Sequence, residues 1–427
     1  MELKKKITRY LGSPSEKWSA EWLAHDHIFY CFLSMGSLDR LGRESHAVSK
    51  PARFTVFKTQ IMKKTFLFIA FLVFSCNENI QNTDRTQKIT KNNLLAMVMK
   101  DGKYGYINPE GDYVISPRYP LARSFSNGMA CVNFNGVRSD FFPGTIGGSY
   151  AFIDTSGKLK FEEKAFSLPV SFFNDYAIIE SNNQTVGFID KNLDLVVDGF
   201  DVLMPFREGM SAAVKRSENT VGFIDTTGEW RIKLDLKSHR IGDFHEGYAF
   251  FMKDNGYGYL NKQGEIVIEP IYEGTYDFHE GLGAFLLNKK FGFLNKEGKV
   301  VINNEYENVG DFSNGLCAVQ KNGKWGYIDH KGKVGIAFEF DAVRDFNEGF
   351  ASVQKQNKVG FIDKNGDWLI GPKFDNGLDF KNGYAIINKG GKLGYINAKG
   401  EIIIEPIYDR VDNFVDPFSS NENLRSD

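Results

Sequence analysis

Short apolar runs separated by polar pairs and glycines fill the chain from Leu94 to about Phe418, and they return at a nearly fixed interval. The clearest copy reads Lys324-Trp325-Gly326-Tyr327-Ile328-Asp329. Its glycine recurs as Gly105, Gly187, Gly222, Gly258, Gly292, Gly326, Gly360 and Gly394, with Ala151 in the second copy. From Gly258 onward the spacing is 34 residues each time. Such a period marks one supersecondary unit repeated and packed on its neighbours. A helical hairpin would need apolar positions at i, i+3, i+4 and i+7 over about ten residues, with few glycines. The runs here are short, β-branched or aromatic, so each repeat is expected to be built of strands.

Three strands fit each copy. Strand A, as in Tyr257-Gly258-Tyr259-Leu260, ends in a quartet with Asp or Asn first and Gly fourth, the signature of a type I turn. Asn261 to Gly264 is one such quartet, and in the third repeat Leu193 replaces the glycine. Strand B follows, as in Glu265-Ile266-Val267-Ile268. Strand C precedes the next strand A through a tight turn such as Asn322-Gly323. Between B and C lies Phe-x-[Glu/Asn]-Gly, at Phe125, Phe206, Phe244, Phe278, Phe312, Phe346 and Phe380. The phenylalanine is expected to plug the space between units, and the glycine to take a backbone angle that a side chain resists. The expected fold is therefore all-β: a tandem repeat of nine three-stranded antiparallel meanders, either a propeller-like toroid or an open superhelical array. Complete C–A–B units leave no split blade to lock a ring, which slightly favours the open form. Small blades with a thick aromatic layer suit a ring, so the sequence leaves both open.

The Lys-Trp-Gly-Tyr-Ile-Asp motif, with its downstream Gly, Pro-x-[Tyr/Phe] and Phe-x-[Glu/Asn]-Gly, resembles the WG-repeat (KWG-repeat) family of bacterial proteins over nearly all of residues 94–418. Tryptophan itself holds the named position only at Trp325. The resemblance implies an extracytoplasmic or surface-associated repeat protein and brings no catalytic residues with it.

Upstream, Met62-Lys63-Lys64 is followed by an apolar core from Thr65 to Phe74 and then by Ser75-Cys76. The core is too short to span a bilayer, which takes about 20 apolar residues. The order resembles a bacterial lipoprotein signal, with Val73-Phe74-Ser75 a loose cleavage box. That resemblance implies lipidation at Cys76 and anchoring in the cell envelope, in the outer membrane given Asn77 after the cysteine. Domain organisation is then expected to be 1–61, a non-native upstream extension; 62–76, the signal peptide; 77–92, a polar tether; 93–418, the repeat domain; and 419–427, a polar tail. Cys131 and Cys317 both fall in strand C, more than five repeats apart, and are expected to be buried single thiols.

A formal net charge of -2 gives no global pull toward nucleic acid. His245 and His279 occupy the same position of adjacent Phe-His-Glu-Gly copies, beside Glu246 and Glu280, but other copies carry Arg207, Ser313, Asn347 or Lys381 there. They read as solvent-facing loop variation, and no metal, cofactor or catalytic residue is expected. The strongest departure from the repeat is Asn133 to Ser149, where the first interval swells to 46 residues. Arg138, Phe141 and Phe142 in that insert are the candidate binding residues, since insertions in repeat proteins map to loops on one face. The expected function is a monomeric, non-enzymatic binding or scaffolding module, attached to the membrane by lipid alone, with an envelope protein or glycan as partner. Aromatics such as Phe141 or Trp230 are candidates to stack on sugars. The alternative is a polysaccharide-active enzyme with a carboxylate pair drawn from Glu208, Glu246, Glu280 and Glu348, at the roughly 5 to 10 Å that glycosidase chemistry requires.

Overall fold

The computed structural model describes residues 93–138, 145–146, 148–160, 171–181, 185–235 and 239–420, which belong to one compact unit, Lys88–Glu422. Their strands form eight four-stranded antiparallel sheets, one of three strands and one of two. In the sixth blade, strands C, A and B are Leu282–Leu287, Lys290–Asn295 and Val300–Tyr306. A fourth strand, D, precedes them as Gly274–His279, drawn from the segment that leads to the Phe-x-Glu-Gly turn. The expectation of three strands is thus one short per blade, because the D pairing is brief and its sequence is dominated by the turn. In the second blade the D position shrinks to a single bridge, Ala122 with Val132.

The D strand also decides ring against open array. The first blade begins at strand C, Ala96–Lys100, and takes its D strand, Arg410–Val411, from the far end of the chain. Leu95 and Val415 exchange both backbone hydrogen bonds, and the Asp412 amide donates to the Met97 carbonyl. The split blade is therefore present at D, not within the C–A–B unit, and the body is a closed nine-bladed β-propeller. D segments of successive blades touch one another, whereas strand B exposes Ile266, Ile271, Val300 and Val334. D accordingly faces the axis and B the rim.

Strand A needs its glycine because strand B bulges over it. Tyr257 pairs with Tyr272 but Tyr259 pairs with Ile268, so strand B carries extra residues opposite Gly258. A Cβ on Gly258 would lie 2.3 Å from the Ile268 carbonyl oxygen. Pro270 sits in this bulge, where its missing N–H costs no ladder bond.

Turns after strand A follow the expected chemistry. Asp329 Oδ1 accepts from the amides of Lys331 and Lys333, each at 2.9 Å. Where glycine is missing, Leu193 adopts φ 63° and buries its side chain in the neighbouring core. Asp225 adds a salt bridge to Arg231 at 2.6 Å. Burial opposes its charge, but hydrogen bonds from Thr227, the Glu229 amide and Arg231 hold its carboxyl down to about 2. A carboxyl depressed on folding stabilises above its unfolded pKa of about 4 and loses that contribution as pH falls toward 2. Asn fills this turn position natively at Asn261 and Asn397, so Asp225→Asn keeps the turn and removes only the charge. Wild type should melt above Asp225→Asn at neutral pH, by up to about 1 kcal/mol of stability, with the gap closing between pH 4 and 2. A gap indifferent to pH would refute the assignment.

Blades meet through aromatic pairs. The plug phenylalanine of each D segment packs on the strand A aromatic of the preceding blade, as in Phe206 on Phe188 at 4.4 Å between ring centroids and Phe278 on Tyr259 at 4.7 Å. The same contact recurs at every seam, including Phe414 on Tyr395 at closure, 4.6 Å. Phe172 on Phe152 serves the third blade through a divergent Phe-Phe-Asn-Asp copy. Where the strand A partner is tyrosine, its buried hydroxyl donates to a D-segment carbonyl of the next blade: Tyr106 to Arg123, Tyr327 to Arg344 and Tyr395 to Asp412. Cys131 and Cys317 are buried and outside any disulfide, as expected, and burial pushes the Cys317 thiol well up.

Candidate functional site

The D-to-C turn is a two-residue hairpin with both residues at positive φ, 50° at Glu208 and 83° at Gly209. A glutamate in this region is strained, and its side chain shows why it is retained. Glu208 accepts from the Gly247 amide of the next blade at 3.0 Å and pairs with Lys262 of that blade at 3.0 Å. Glu246 repeats the clasp on Gly281 and Lys296, Glu280 on Gly315 and His330, and Glu348 on Gly383. Burial opposes the charge of Glu246, but Lys296 and the Gly281 amide hold it below the usual carboxylate range. Asn314 does the same work with its Oδ1 toward Gly349. All four carboxylates suggested for glycosidase chemistry are therefore engaged in equivalent seams between blades.

His245 and His279 depart from the sequence reading. Their side chains are 25% and 22% exposed, so they are not open loop positions. Alternation along the D segment puts the plug phenylalanine into the seam and its two neighbours on the opposite face. Residues Asp277 and His279 flank Phe278 in this way, and His245 arrives from the preceding blade. His245 Nε2 lies 3.4 Å from Asp277 Oδ2, His279 Nε2 lies 3.4 Å from Asp311 Oδ2, and the two imidazole centroids are 5.4 Å apart. Burial, then the charges of Arg207 and His279, push the His245 imidazole down to about 4, so it is neutral at pH 7. The sequence reading overlooked Asp277 and Asp311; an aspartate directly before the plug phenylalanine, as in Asp277-Phe278 and Asp311-Phe312, was the signal that could have found them.

Among the candidate binding residues, Arg138 lies in the short strand Val137–Arg138, which pairs with Thr145–Ile146 in a hairpin of its own. Phe141 and Phe142 lie outside the described residues, as does Cys76. Beside the base of this hairpin runs an open cleft of about 510 Å³, lined by residues including Arg118, Tyr119, Asn133, Phe134 and Lys158. Arg118 stands over the Tyr119 ring and donates to the Tyr119 hydroxyl and the Gly157 carbonyl. Trp230 is half-buried and makes an edge-type contact with the Phe200 ring, so packing explains it.

Solved structures include chains of similar fold. A eukaryotic initiation factor superposes with a TM-score of 0.52 at 10% identity, covering 75% of this chain and 98% of that one. Matches to BamB from Moraxella catarrhalis (TM-score 0.35, 12% identity, 64% of this chain and 88% of that one) and to AztD from Citrobacter koseri (0.36, 12%, 74% and 96%) are looser. No curated protein matches the sequence. The model of the WG containing repeat matches eight times, at 104–137, 187–218, 222–257, 257–291, 291–325, 325–358, 360–392 and 394–420. With this repeat over more than half of its length, the chain belongs to the WG-repeat family.

Proposed function

We propose that this propeller is a non-enzymatic binding or scaffolding module, held at the cell envelope by lipid on Cys76 and presenting its second blade to an envelope protein or glycan. The observation that carries the reading is the division of labour among polar residues. The recurring carboxylates clasp one blade to the next, and the aperiodic hairpin around Arg138 stands beside an open cleft with cationic and aromatic walls. Such a surface suits a partner with anionic or sugar groups. The polar stretch from Asn77 to Asn92 would serve as the tether, and the lipoprotein-like order around Cys76 suggests the outer membrane.

The test combines location and binding. Wild type should incorporate labelled palmitate and partition into detergent, and Cys76→Ala should do neither while keeping its β-sheet circular dichroism, because the cysteine precedes the propeller. On a glycan array and in pull-downs from envelope extracts, wild type should retain a partner that an Arg138→Ala, Phe141→Ala, Phe142→Ala variant loses. A partner retained equally by that variant would move the binding surface elsewhere, and labelling of Cys76→Ala would remove the anchor.

A further inference from the structure

We propose that His245, Asp277 and His279 form a site for one divalent transition-metal ion of the zinc class, held across the seam between the fifth and sixth blades. The three side chains each offer a ligand atom, and these atoms all lie within 4.8 Å of one another. Zinc with bonds of about 2.0–2.2 Å spaces tetrahedral ligands roughly 3.3 Å apart. The His245–Asp277 separation of 3.4 Å already meets that spacing. The wider separations, at most 4.8 Å, must shorten by up to about 1.5 Å, which side-chain rotation supplies. Two imidazoles and one carboxylate suit zinc or its neighbours, whereas calcium and magnesium favour all-oxygen shells. The fourth position is left for water or a ligand.

The surroundings favour a cation at this seam. Asp311 lies 3.4 Å from His279 and supplies a second carboxylate, in the role that steadies a ligating imidazole. The positive charge of Arg207, at the equivalent position of the fourth blade, acts against a cation at His245, and the carboxylates of Glu208 and Asp311 act for it. The repeat sequence also singles out this place. The residue after the plug phenylalanine is Arg207, Ser313, Asn347 or Lys381 in other copies, and two adjacent copies carry histidine. The inference does not rest on the envelope-binding reading, since it concerns the axial D segments and not the second blade.

The full chain, stripped with EDTA and dialysed, is titrated with Zn²⁺ by isothermal calorimetry and with Co²⁺ by visible absorption. One saturable equivalent is expected, with the intense d–d bands of a tetrahedral site. Ser and Asn occur natively at this position, so His279→Ser and His245→Asn should fold, as circular dichroism would verify. Each should weaken binding more than about a hundredfold, and Asp311→Asn roughly ten- to a hundredfold. Zn²⁺ should raise the melting temperature of wild type and leave both histidine variants unmoved. X-ray absorption of the zinc-loaded wild type gives a check that needs no variant, and should count two imidazoles. Absence of a saturable equivalent, binding unchanged in the histidine variants, or a shell without two imidazoles would each overturn the site.

Discussion

A chain ended at Tyr408 should lose the cooperative fold, although it keeps every complete C–A–B unit. The missing segment supplies the D strand of the first blade, and its contacts are dense. Arg410 and Val411 pair with Met99 and Val98, and Val415 bridges Leu95. Phe414 fills the seam against Tyr384 and Tyr395, and Tyr395 donates to the Asp412 carbonyl. Beyond it, the carbonyls of Pro417 and Ser419 accept from Gly128 and Asn127 of the second blade. Removing one buried phenylalanine costs about 3–5 kcal/mol, against a total stability of about 5–15 kcal/mol for a typical domain. The truncation also bares strand C of the first blade, a free edge that invites association. Size exclusion should find oligomers, and urea unfolding should begin earlier and spread wider than in the full chain. A compact monomer with the wild-type midpoint would show that the ring does not depend on this closure.

The repeat, its strands and its turns were legible because they rest on local chemistry. Asp329 and Gly332 announce their turn wherever they stand, and the plug phenylalanines read correctly as fillers of the seams. What the residues alone left open depends on the partner across a seam. The D strand was hidden because two-residue pairings such as Ala342–Val343 with Gln354 and Val353 leave almost no periodic trace. Closure was hidden for the same reason, since Arg410–Val411 looks like a tail until it meets Ala96–Lys100. The glutamates stood as candidates for a carboxylate pair because an amide donor on a neighbouring blade leaves no mark in its own repeat. His245 and His279 were read as exposed because each copy was weighed alone, whereas burial comes from the blade beside it.

The two kinds of glycine in each repeat should respond very differently to a single added methyl group. Gly258 stands for the strand A class: its Cβ would come within 2.3 Å of the Ile268 carbonyl oxygen and 2.8 Å of the Pro270 nitrogen. Those are backbone atoms, pinned by the Tyr259–Ile268 and Tyr257–Tyr272 pairs on either side of the bulge. Relief requires the bulge to open, so Gly258→Ala should cost about 2–4 kcal/mol. Gly281 stands for the turn class, with φ 82° and nothing within 4 Å of an added Cβ. There the penalty is backbone strain alone, about 1 kcal/mol. Urea denaturation of both variants at 25 °C measures the difference. Equal losses at Gly258 and Gly281 would mean that left-handed backbone geometry, and not the carbonyl lying over strand A, is what the repeated glycine serves.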